Sequence, residues 1–203
     1  MFVLIVFAIP WLAQAKPVPD APVDNPEYTE WAASKPGSWV TFEQPCGKGA
    51  LMQETYKLLE LSKEKAVFEC TKVENGFKYP LFQQTIPGKL LVRDSDGAVA
   101  RKPAGGEIES QGPGGKQKYI WRKNSEGDEE IEVAGRKLKC HWIKMDYQVD
   151  SKVEWVNDIS STKTWYSKDI PGKVAKIEMK RWIKDNPPYE LTVVRVAKDW
   201  RIE

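Results

Sequence analysis

Residues 129–149, EEIEVAGRKLKCHWIKMDYQV, decide the fold of this chain. Ile131 and Val133 alternate with acidic residues, and Ala134-Gly135-Arg136 follows as a hairpin-type turn. After the turn, apolar residues again occupy every second position. A period of two separates the side chains onto the two faces of a β-strand, whereas a helix needs a spacing of three or four. The stretch therefore predicts a hairpin with one buried face.

The second strand of this hairpin, predicted at 137–149, changes phase in its middle. One apolar set ends at Trp142, and the next begins at Ile143 on the opposite face. The first set is Leu138, Cys140 and Trp142, and the second is Ile143, Met145, Tyr147 and Val149. A β-bulge, or a strand that passes from one sheet environment to another, would produce such a slip.

The same alternation runs along most of the chain. Further strands are predicted near 38–44, 50–62, 65–74, 77–84, 89–93, 98–102, 107–111, 117–123, 129–133, 152–156, 160–167, 173–182 and 189–201. The connections are short and rich in turn-forming residues, as in Glu74-Asn75-Gly76, and cannot hold crossover helices. The sequence therefore predicts a mainly β protein, with a curved antiparallel sheet or half-barrel built as a meander.

One short helix is predicted before the sheet, over residues 26–35. Asn25 suits the N-cap, and Pro26 suits the first helical position. Lys35-Pro36-Gly37 ends the pattern. A helix of about ten residues is stable only when it docks on an apolar surface, so we expect it to pack on the sheet.

The first fifteen residues predict export. An apolar run from Phe2 to Leu12 precedes Ala13-Gln14-Ala15, which fits a signal-peptide cleavage site. The run is too short to span a bilayer, which takes about 20 residues. Residues 1–15 are thus predicted to be a signal peptide, 16–24 a Pro-rich linker and 25–203 a single β domain. We expect a periplasmic or extracellular protein without a transmembrane anchor.

Charge and histidine content exclude several classes of function. The 31 basic and 29 acidic residues are interspersed, which is not the footprint of a nucleic-acid binder. His141 is the single histidine and falls on the polar side of its strand. Zinc and iron sites commonly need two or more imidazoles, and a Ser or Cys nucleophile that works with His would need this one residue beside it. We expect no enzyme activity, no cofactor and no metal site; the sequence leaves the oligomeric state open.

Two short segments look like ligand-binding loops but lack residues that such loops need. Gly112-Pro113-Gly114-Gly115-Lys116 lacks the first Gly and the final Ser or Thr of a phosphate-binding loop, so a flexible loop is predicted. The acidic cluster from Glu126 to Glu130 lacks the ligand spacing of a calcium loop and predicts a charged turn.

Three cysteines, Cys46, Cys70 and Cys140, leave the disulfide pairing open. Alternation places Cys70 and Cys140 on core-facing positions of their strands. We therefore expect these two to lie in contact, either as a disulfide or as two buried thiols.

Aromatic residues supply the positive functional signal. The chain has nine tryptophans, and five follow one another on the C-terminal strands: Trp142, Trp155, Trp165, Trp182 and Trp200. They could line a cavity for a lipid-like ligand, form an exposed platform for a glycan, or belong to the core. The sequence alone does not show whether they face the same way.

Three stretches together resemble a family of uncharacterised exported proteins of planctomycete bacteria. They are Asn25-Pro26-Glu27-Tyr28 with Trp31-Ala32 and Pro36-Gly37; residues 129–140 with Trp142; and 164–172 with Val174 and Lys176. At position 173 the resemblance implies a second Gly after Pro171-Gly172, where this chain has Lys173. The resemblance assigns no activity and no site residues.

The strand, turn and strand around Ile170-Pro171-Gly172 also resemble lipoprotein-carrier half-barrels, in which a curved sheet wraps a helix. That likeness concerns the fold alone. The function expected from the sequence is therefore non-catalytic binding of an apolar or amphipathic ligand, or of an envelope partner. The alternative is a glycan-binding module that uses exposed tryptophans.

Overall fold

The computed structural model describes residues 22–46, 49–90, 105–112, 115–151, 158–183 and 189–203. Over these ranges the chain forms an open, curved antiparallel sheet with a single short helix, which confirms the predicted fold class. The predicted signal peptide and most of the predicted linker lie outside the described residues, as do the strands predicted near 98–102 and 152–156. In the described part, no helix has the length and apolar character needed to cross a membrane.

The elements follow in chain order. They are β1 (Val23–Asp24), α1 (Pro26–Trp31), β2 (Trp39–Cys46), β3 (Ala50–Leu61), β4 (Lys65–Glu74), β5 (Phe77–Lys78), β6 (Phe82–Pro87), β7 (Lys89–Leu90), β8 (Gly105–Gly112), β9 (Gly115–Val133), β10 (Arg136–Ser151), β11 (Asp158–Tyr166), β12 (Val174–Ile183) and β13 (Tyr189–Arg201). The segment predicted as one strand over 77–84 is divided into β5 and β6, with Pro80 between them.

Most neighbouring strands of the main sheet are also consecutive in the chain; the exceptions are the pairings of β2 with β13 and of β6 with β4. The 11-stranded sheet has the order β5-β4-β3-β2-β13-β12-β11-β10-β9-β8, and β6 also pairs with β4. The pairing of β2 with β13 joins two meanders, β2 to β6 and β8 to β13, into one sheet. Strands β1 and β7 form a separate two-stranded sheet. The sequence predicted a simple meander because local turn signals carry no information on which strands meet across a long separation.

The charged turn predicted at Glu126 to Glu130 is wrong. These residues lie inside β9, a strand of 19 residues that pairs with β10 over most of its length. The acidic side chains have cationic partners, as in the 2.8 Å contact between Glu129 and Lys163 Nζ. Because the charges are paired across strands and remain near water, the segment stays extended.

Helix α1 is shorter than predicted and ends at Trp31. The Asn25 side chain accepts a hydrogen bond from the backbone N–H of Glu27 at 3.1 Å, as the N-cap prediction required. Ala32 forms the C-cap, and its backbone N–H donates to the carbonyl of Thr29 before the chain turns. The Asn25 side-chain amide also donates to the carbonyl of Pro87 at 2.8 Å, which ties the helix to the end of β6.

The helix packs on one face of the sheet through Trp31. Its indole makes an edge-to-face contact with Phe68, with 4.7 Å between the ring centroids. We call this face of the sheet the inner face, and the opposite one the outer face. Three strands of the sheet have register shifts: β3 after Leu58, β11 after Trp165 and β13 after Ala197. Such irregularities bend and twist strands, so they favour the curvature that encloses the core.

The phase slip predicted in β10 has a structural counterpart. Trp142 lies opposite Trp165, whereas Ile143 lies opposite Thr164 on the other face. The register with β9 shifts between Lys144 and Met145, two residues beyond the predicted slip. Strand β10 therefore packs one face near the hairpin turn and the other face further along, as the second of the two predicted explanations required.

Candidate functional site

Two rows of half-buried side chains cross the inner face over β10, β11, β12 and β13. Directly opposed residues of antiparallel strands point to the same face. One row is Ile143, Thr164, Ile177 and Arg195, and the next is Met145, Thr162, Met179 and Val193. All eight are half-buried. We call the five apolar members, Ile143, Met145, Ile177, Met179 and Val193, the inner-face floor.

Arg195 connects this floor to the core. The carbon of its guanidinium lies 4.3 Å from the centroid of the Phe42 ring and 5.5 Å from that of Tyr56. Both distances suit cation–π attraction. Its Nη2 atom lies 3.2 Å from a carboxylate oxygen of Glu54, and the two side chains are only 25% and 24% exposed. The hydroxyl of Tyr56 donates to the same oxygen at 3.3 Å, so the ion pair has a third partner.

Helix α1 brings acidic groups to the same region. Burial raises the pKa of Glu27, and the positive charge of Arg195 opposes that shift. Burial also raises the pKa of Glu30 to about 7, with Glu27 adding to the shift and Lys173 opposing it. Burial raises the pKa of Tyr166 to about 12, and the negative charge of Glu30 contributes. These groups are thus near enough to interact, and we call Glu27, Glu30, Tyr166 and Arg195 the polar wall.

The floor and the wall together form an amphipathic surface. Half-buried aliphatic side chains retain apolar area that a ligand can cover. Methionine adapts its shape to irregular apolar partners, because its side chain is unbranched and flexible. The wall supplies donors, acceptors and both signs of charge within the same region. Such an arrangement suits a molecule with one apolar part and one polar end.

The tryptophans singled out by the sequence do not form one patch. Trp142 and Trp165 are direct neighbours on the outer face. Trp182 also lies on that face, opposite Ile159 at the far end of β11, and it is 40% exposed. Trp200 belongs to the core and is 7% exposed, and Trp155 lies outside the described residues. Trp165, which is 5% exposed, belongs to the same core cluster as Trp200, and Trp142 packs against this cluster.

The pair of Trp142 and Trp165 is held by charged partners. Lys163 Nζ lies 4.1 Å from the centroid of Trp142 and 4.4 Å from that of Trp165. The carboxylate of Glu129 accepts a hydrogen bond from the indole N–H of Trp165 and lies 2.8 Å from Lys163 Nζ. Gly127 leaves room for the Trp142 ring, since a Cβ there would lie 3.0 Å from it. This cluster satisfies its own polar groups, which indicates a structural role.

The cysteines and the histidine occupy separate environments. Cys46, Cys70 and Cys140 are all free thiols, and Cys70 and Cys140 are both buried in the core, while their predicted contact stays a prediction. His141 is exposed, as predicted, and its ring nitrogens lie 3.0 Å from Asp128 and 3.4 Å from Glu126. Over the described ranges, no group of three or more His, Cys, Asp and Glu side chains is arranged to hold a metal ion.

Sequence reasoning missed the inner-face floor, although one signal pointed to it. The phase slip in β10 placed Ile143 and Met145 on the face opposite Trp142. Sequence reasoning considered the tryptophans and not the second apolar set of β10. A search that followed the second apolar set of β10 to its neighbours on β11 and β12 would have found the floor.

Solved structures of three proteins resemble this chain in fold. A candidate lipoprotein from Parabacteroides distasonis has a TM-score of 0.47 at 11% identity, over 83% of this chain and 96% of that one. A candidate exported protein with a YmcC-like fold from Bacteroides fragilis has a TM-score of 0.45 at 7% identity, and the match covers 83% of this chain and 97% of that one. The hypothetical lipoprotein YmcC from Escherichia coli has a TM-score of 0.35 at 12% identity, and the match covers 85% of this chain and 88% of that one.

No protein-family model and no curated protein sequence matches the chain. The similar structures come from Bacteroidetes and Escherichia coli, so they lend no support to a planctomycete origin. The comparisons assign the chain no activity.

Proposed function

We propose that the mature protein is exported and binds an apolar or amphipathic molecule on the inner-face floor, without catalysing a reaction. The observation that supports this proposal is the row of Met145, Met179 and Val193, left half-buried on the helix side of a curved sheet. Covering apolar surface yields about 25 cal/mol per Å². An acyl chain or a similar apolar segment would gain this energy along the floor.

The polar wall gives the ligand a preferred orientation. Arg195 presents a cation that is already paired with Glu54, and Glu30 presents a carboxyl group whose pKa of about 7 lets it either donate or accept a hydrogen bond. A headgroup with both hydrogen-bond donors and acceptors would find partners at the polar wall. The proposed ligand class is therefore amphipathic, with its polar end next to α1.

A glycan-binding module is the alternative function. One observation favours it: Trp182 and Ile159 are directly opposed on the outer face and are 40% and 42% exposed. In the described part of the chain this pair does not extend into a row of rings, since Trp142 and Trp165 are packed against Lys163. We therefore place the glycan alternative second.

Native mass spectrometry of protein purified from its own cell envelope tests the proposal. We expect a retained adduct of lipid size on part of the population, which organic extraction removes. Protein that is consistently bare, and that takes up no phospholipid from added mixed micelles, would contradict the proposal.

A matched pair of variants locates the site. Val193 lies on the inner face opposite Met179, and Val194 lies on the outer face opposite Glu178. Both are half-buried, so the same substitution perturbs the strand to a similar degree. We expect Val193→Lys to abolish the adduct and Val194→Lys to retain it. Equal loss in the two variants would place binding elsewhere.

A further inference from the structure

A groove lies on the outer face, away from the inner-face floor. It has a volume of about 530 Å³ and crosses β2, β3 and β4 beside the end of β13. Its volume lies within the range of roughly 300–1,000 Å³ that is usual for small-molecule sites. The lining side chains include Trp39, Thr55, Lys57, Glu69, Thr71 and Arg201. None of them belongs to the floor, the polar wall or the tryptophans that the sequence singled out.

The strand register explains why these side chains converge. Arg201, Trp39, Lys57 and Glu69 form one row across four strands, since each is directly opposed to the next. Thr55 and Thr71 are directly opposed in the adjacent row. The hydroxyl of Thr55 lies 2.7 Å from that of Thr41, which fixes its orientation. The groove thus presents one indole ring between charged groups, with hydroxyls alongside.

The end wall of the groove is formed by Gly37 and Glu203. Gly37 has a φ of 97°, a left-handed conformation that favours glycine. A Cβ at this position would lie 3.0 Å from Cγ of Glu203. The backbone N–H of Glu203 donates to the hydroxyl of Ser38 at 3.1 Å, and its carboxylate pairs with Arg201 at 2.8 Å. These contacts hold the wall in place.

We infer that this groove binds a neutral saccharide, with a pyranose ring on Trp39. A sugar ring has an apolar face that stacks on an aromatic side chain, and hydroxyls at its rim that need both donors and acceptors. Lys57 can donate, Glu69 can accept, and Thr55 and Thr71 can do either. The groove carries two cations, Lys57 and Arg201, and two anions, Glu69 and Glu203. Opposite charges in equal number favour a neutral polyhydroxylated ligand over an anion.

This site is independent of the proposed function, because it lies on the opposite face and shares no residue with the floor. It also differs from the glycan alternative, which relied on the exposed Trp182. The two tryptophans provide a comparison within one molecule. Trp39 lies between Arg201 and Lys57 and lines the groove, whereas Trp182 lies between the apolar Ile159 and Glu190 and does not line it.

The test is an NMR titration of the protein with maltose, cellobiose and N,N′-diacetylchitobiose at millimolar concentrations. We expect at least one of these sugars to shift the indole N–H signal of Trp39 in a saturable way. Trp39→Ala should lower the affinity at least tenfold, whereas Trp182→Ala should leave it unchanged. Thr71→Val, which keeps the side-chain shape in β4, should also weaken binding and keeps the test valid if Trp39→Ala does not fold.

Two results would overturn the inference. One is the absence of a saturable shift with all three sugars. The other is binding that survives Thr71→Val undiminished and is lost in Trp182→Ala, since that would place the saccharide at the far end of the outer face.

Discussion

The indole ring of Trp31 packs against the backbone of Gly172, on the side where a side chain would begin. A Cβ atom at position 172 would stand 2.6 Å from Cε2 and 2.7 Å from Nε1 of that ring. The φ of Gly172 is 71°, in the left-handed region. The turn between β11 and β12 therefore docks on α1 through a contact that requires glycine both for its conformation and for its lack of a side chain.

Gly172→Ala should consequently destabilise the protein strongly. Left-handed φ in a non-glycine residue costs about 1–2 kcal/mol, and displacement of the Trp31 ring adds to that. We expect a loss of about 2–4 kcal/mol in the free energy of unfolding, measured by urea denaturation.

Gly135→Ala is the matched control. Gly135 has a φ of 73°, and no atom lies within 4 Å of a Cβ at that position. In this variant the unfolding free energy should fall only by the cost of a left-handed φ in alanine, about 1 kcal/mol. Equal losses in the two variants would contradict the importance of the Trp31 contact.

Lys173, next in the same turn, is expected to be strained. Lys173 has a φ of 57°, in the left-handed region that favours glycine. Lys173→Gly should relieve about 1–2 kcal/mol of left-handed strain and lose roughly 0.5–1 kcal/mol to the greater freedom of the unfolded chain. We expect a net gain of up to about 1.5 kcal/mol in unfolding free energy.

Lys173→Ala separates the backbone effect from the loss of charge near Glu30. Both substitutions remove the ammonium group, but only glycine relieves the left-handed strain. The glycine variant should therefore be the more stable of the two. The opposite order would show that this turn relaxes without strain at position 173.

The sequence predicted the local elements of this fold because strand and turn signals are local. The hairpin of β9 and β10 turns at Ala134 and Gly135, where both residues have positive φ, as the sequence around 134–136 indicated. The meeting of β2 with β13 depends on the curvature of the whole sheet, and no turn signal reports it. The length of β9 was missed for a related reason: the lysine that pairs with Glu129 lies on β11, which no local pattern reports.

Glu30 should make stability depend on pH near neutrality. Burial raises its pKa from 4.5 to about 7. The folded state therefore holds a proton that the unfolded state has released between these two values, and stability falls as the pH rises through this window. Each unit of pKa shift corresponds to about 1.4 kcal/mol.

Glu30→Gln removes this titration. We expect the variant to gain at least about 1 kcal/mol in unfolding free energy above pH 7, with little change at or below pH 4.5. Urea denaturation as a function of pH measures the difference, and Glu64→Gln at an exposed position serves as the control. If the variant and the wild type keep parallel pH profiles, the Glu30 carboxyl group is not shielded from water in the folded protein.

The candidate site was harder to predict than the fold. Residues such as Met179 and Val193 look like ordinary members of alternating strands, and only the register shows that they share a row with Met145. Arg195 looked like a solvated charge in the sequence. Its partners Glu54, Phe42 and Tyr56 come from strands more than 130 positions earlier in the chain, which no local pattern relates to β13.

The ion pair of Arg195 with Glu54 should show a measurable coupling energy. Both side chains are mostly shielded from water, so the pair is screened less than a surface salt bridge. A double-mutant cycle with Arg195→Met and Glu54→Gln should give a coupling of about 1–2 kcal/mol. The pair of Lys65 with Glu60, where the side chains are 44% and 52% exposed, is the control and should give less than about 0.5 kcal/mol. Equal coupling in the two cycles would place Arg195 in solvent.

The cysteines should differ sharply in their reactivity. Burial raises the pKa of Cys70 to about 11 and also raises that of Cys140. At pH 7 only about one Cys70 side chain in 10⁴ would be the reactive thiolate. Cys46 is half-buried on β2 and more accessible. We expect iodoacetamide to label Cys46 first, and the other two only when urea unfolds the protein.

The same experiment distinguishes the two states that the sequence left open for Cys70 and Cys140. Free buried thiols become reactive in urea without any reductant, because unfolding restores both exposure and an ordinary pKa. A disulfide would instead keep both residues unlabelled in urea until a reductant is added. Because export leads to an oxidising compartment, protein recovered from the cell envelope is the sample to use. Two alkylated residues gained on unfolding alone would agree with the free thiols of the structure, and none would contradict them.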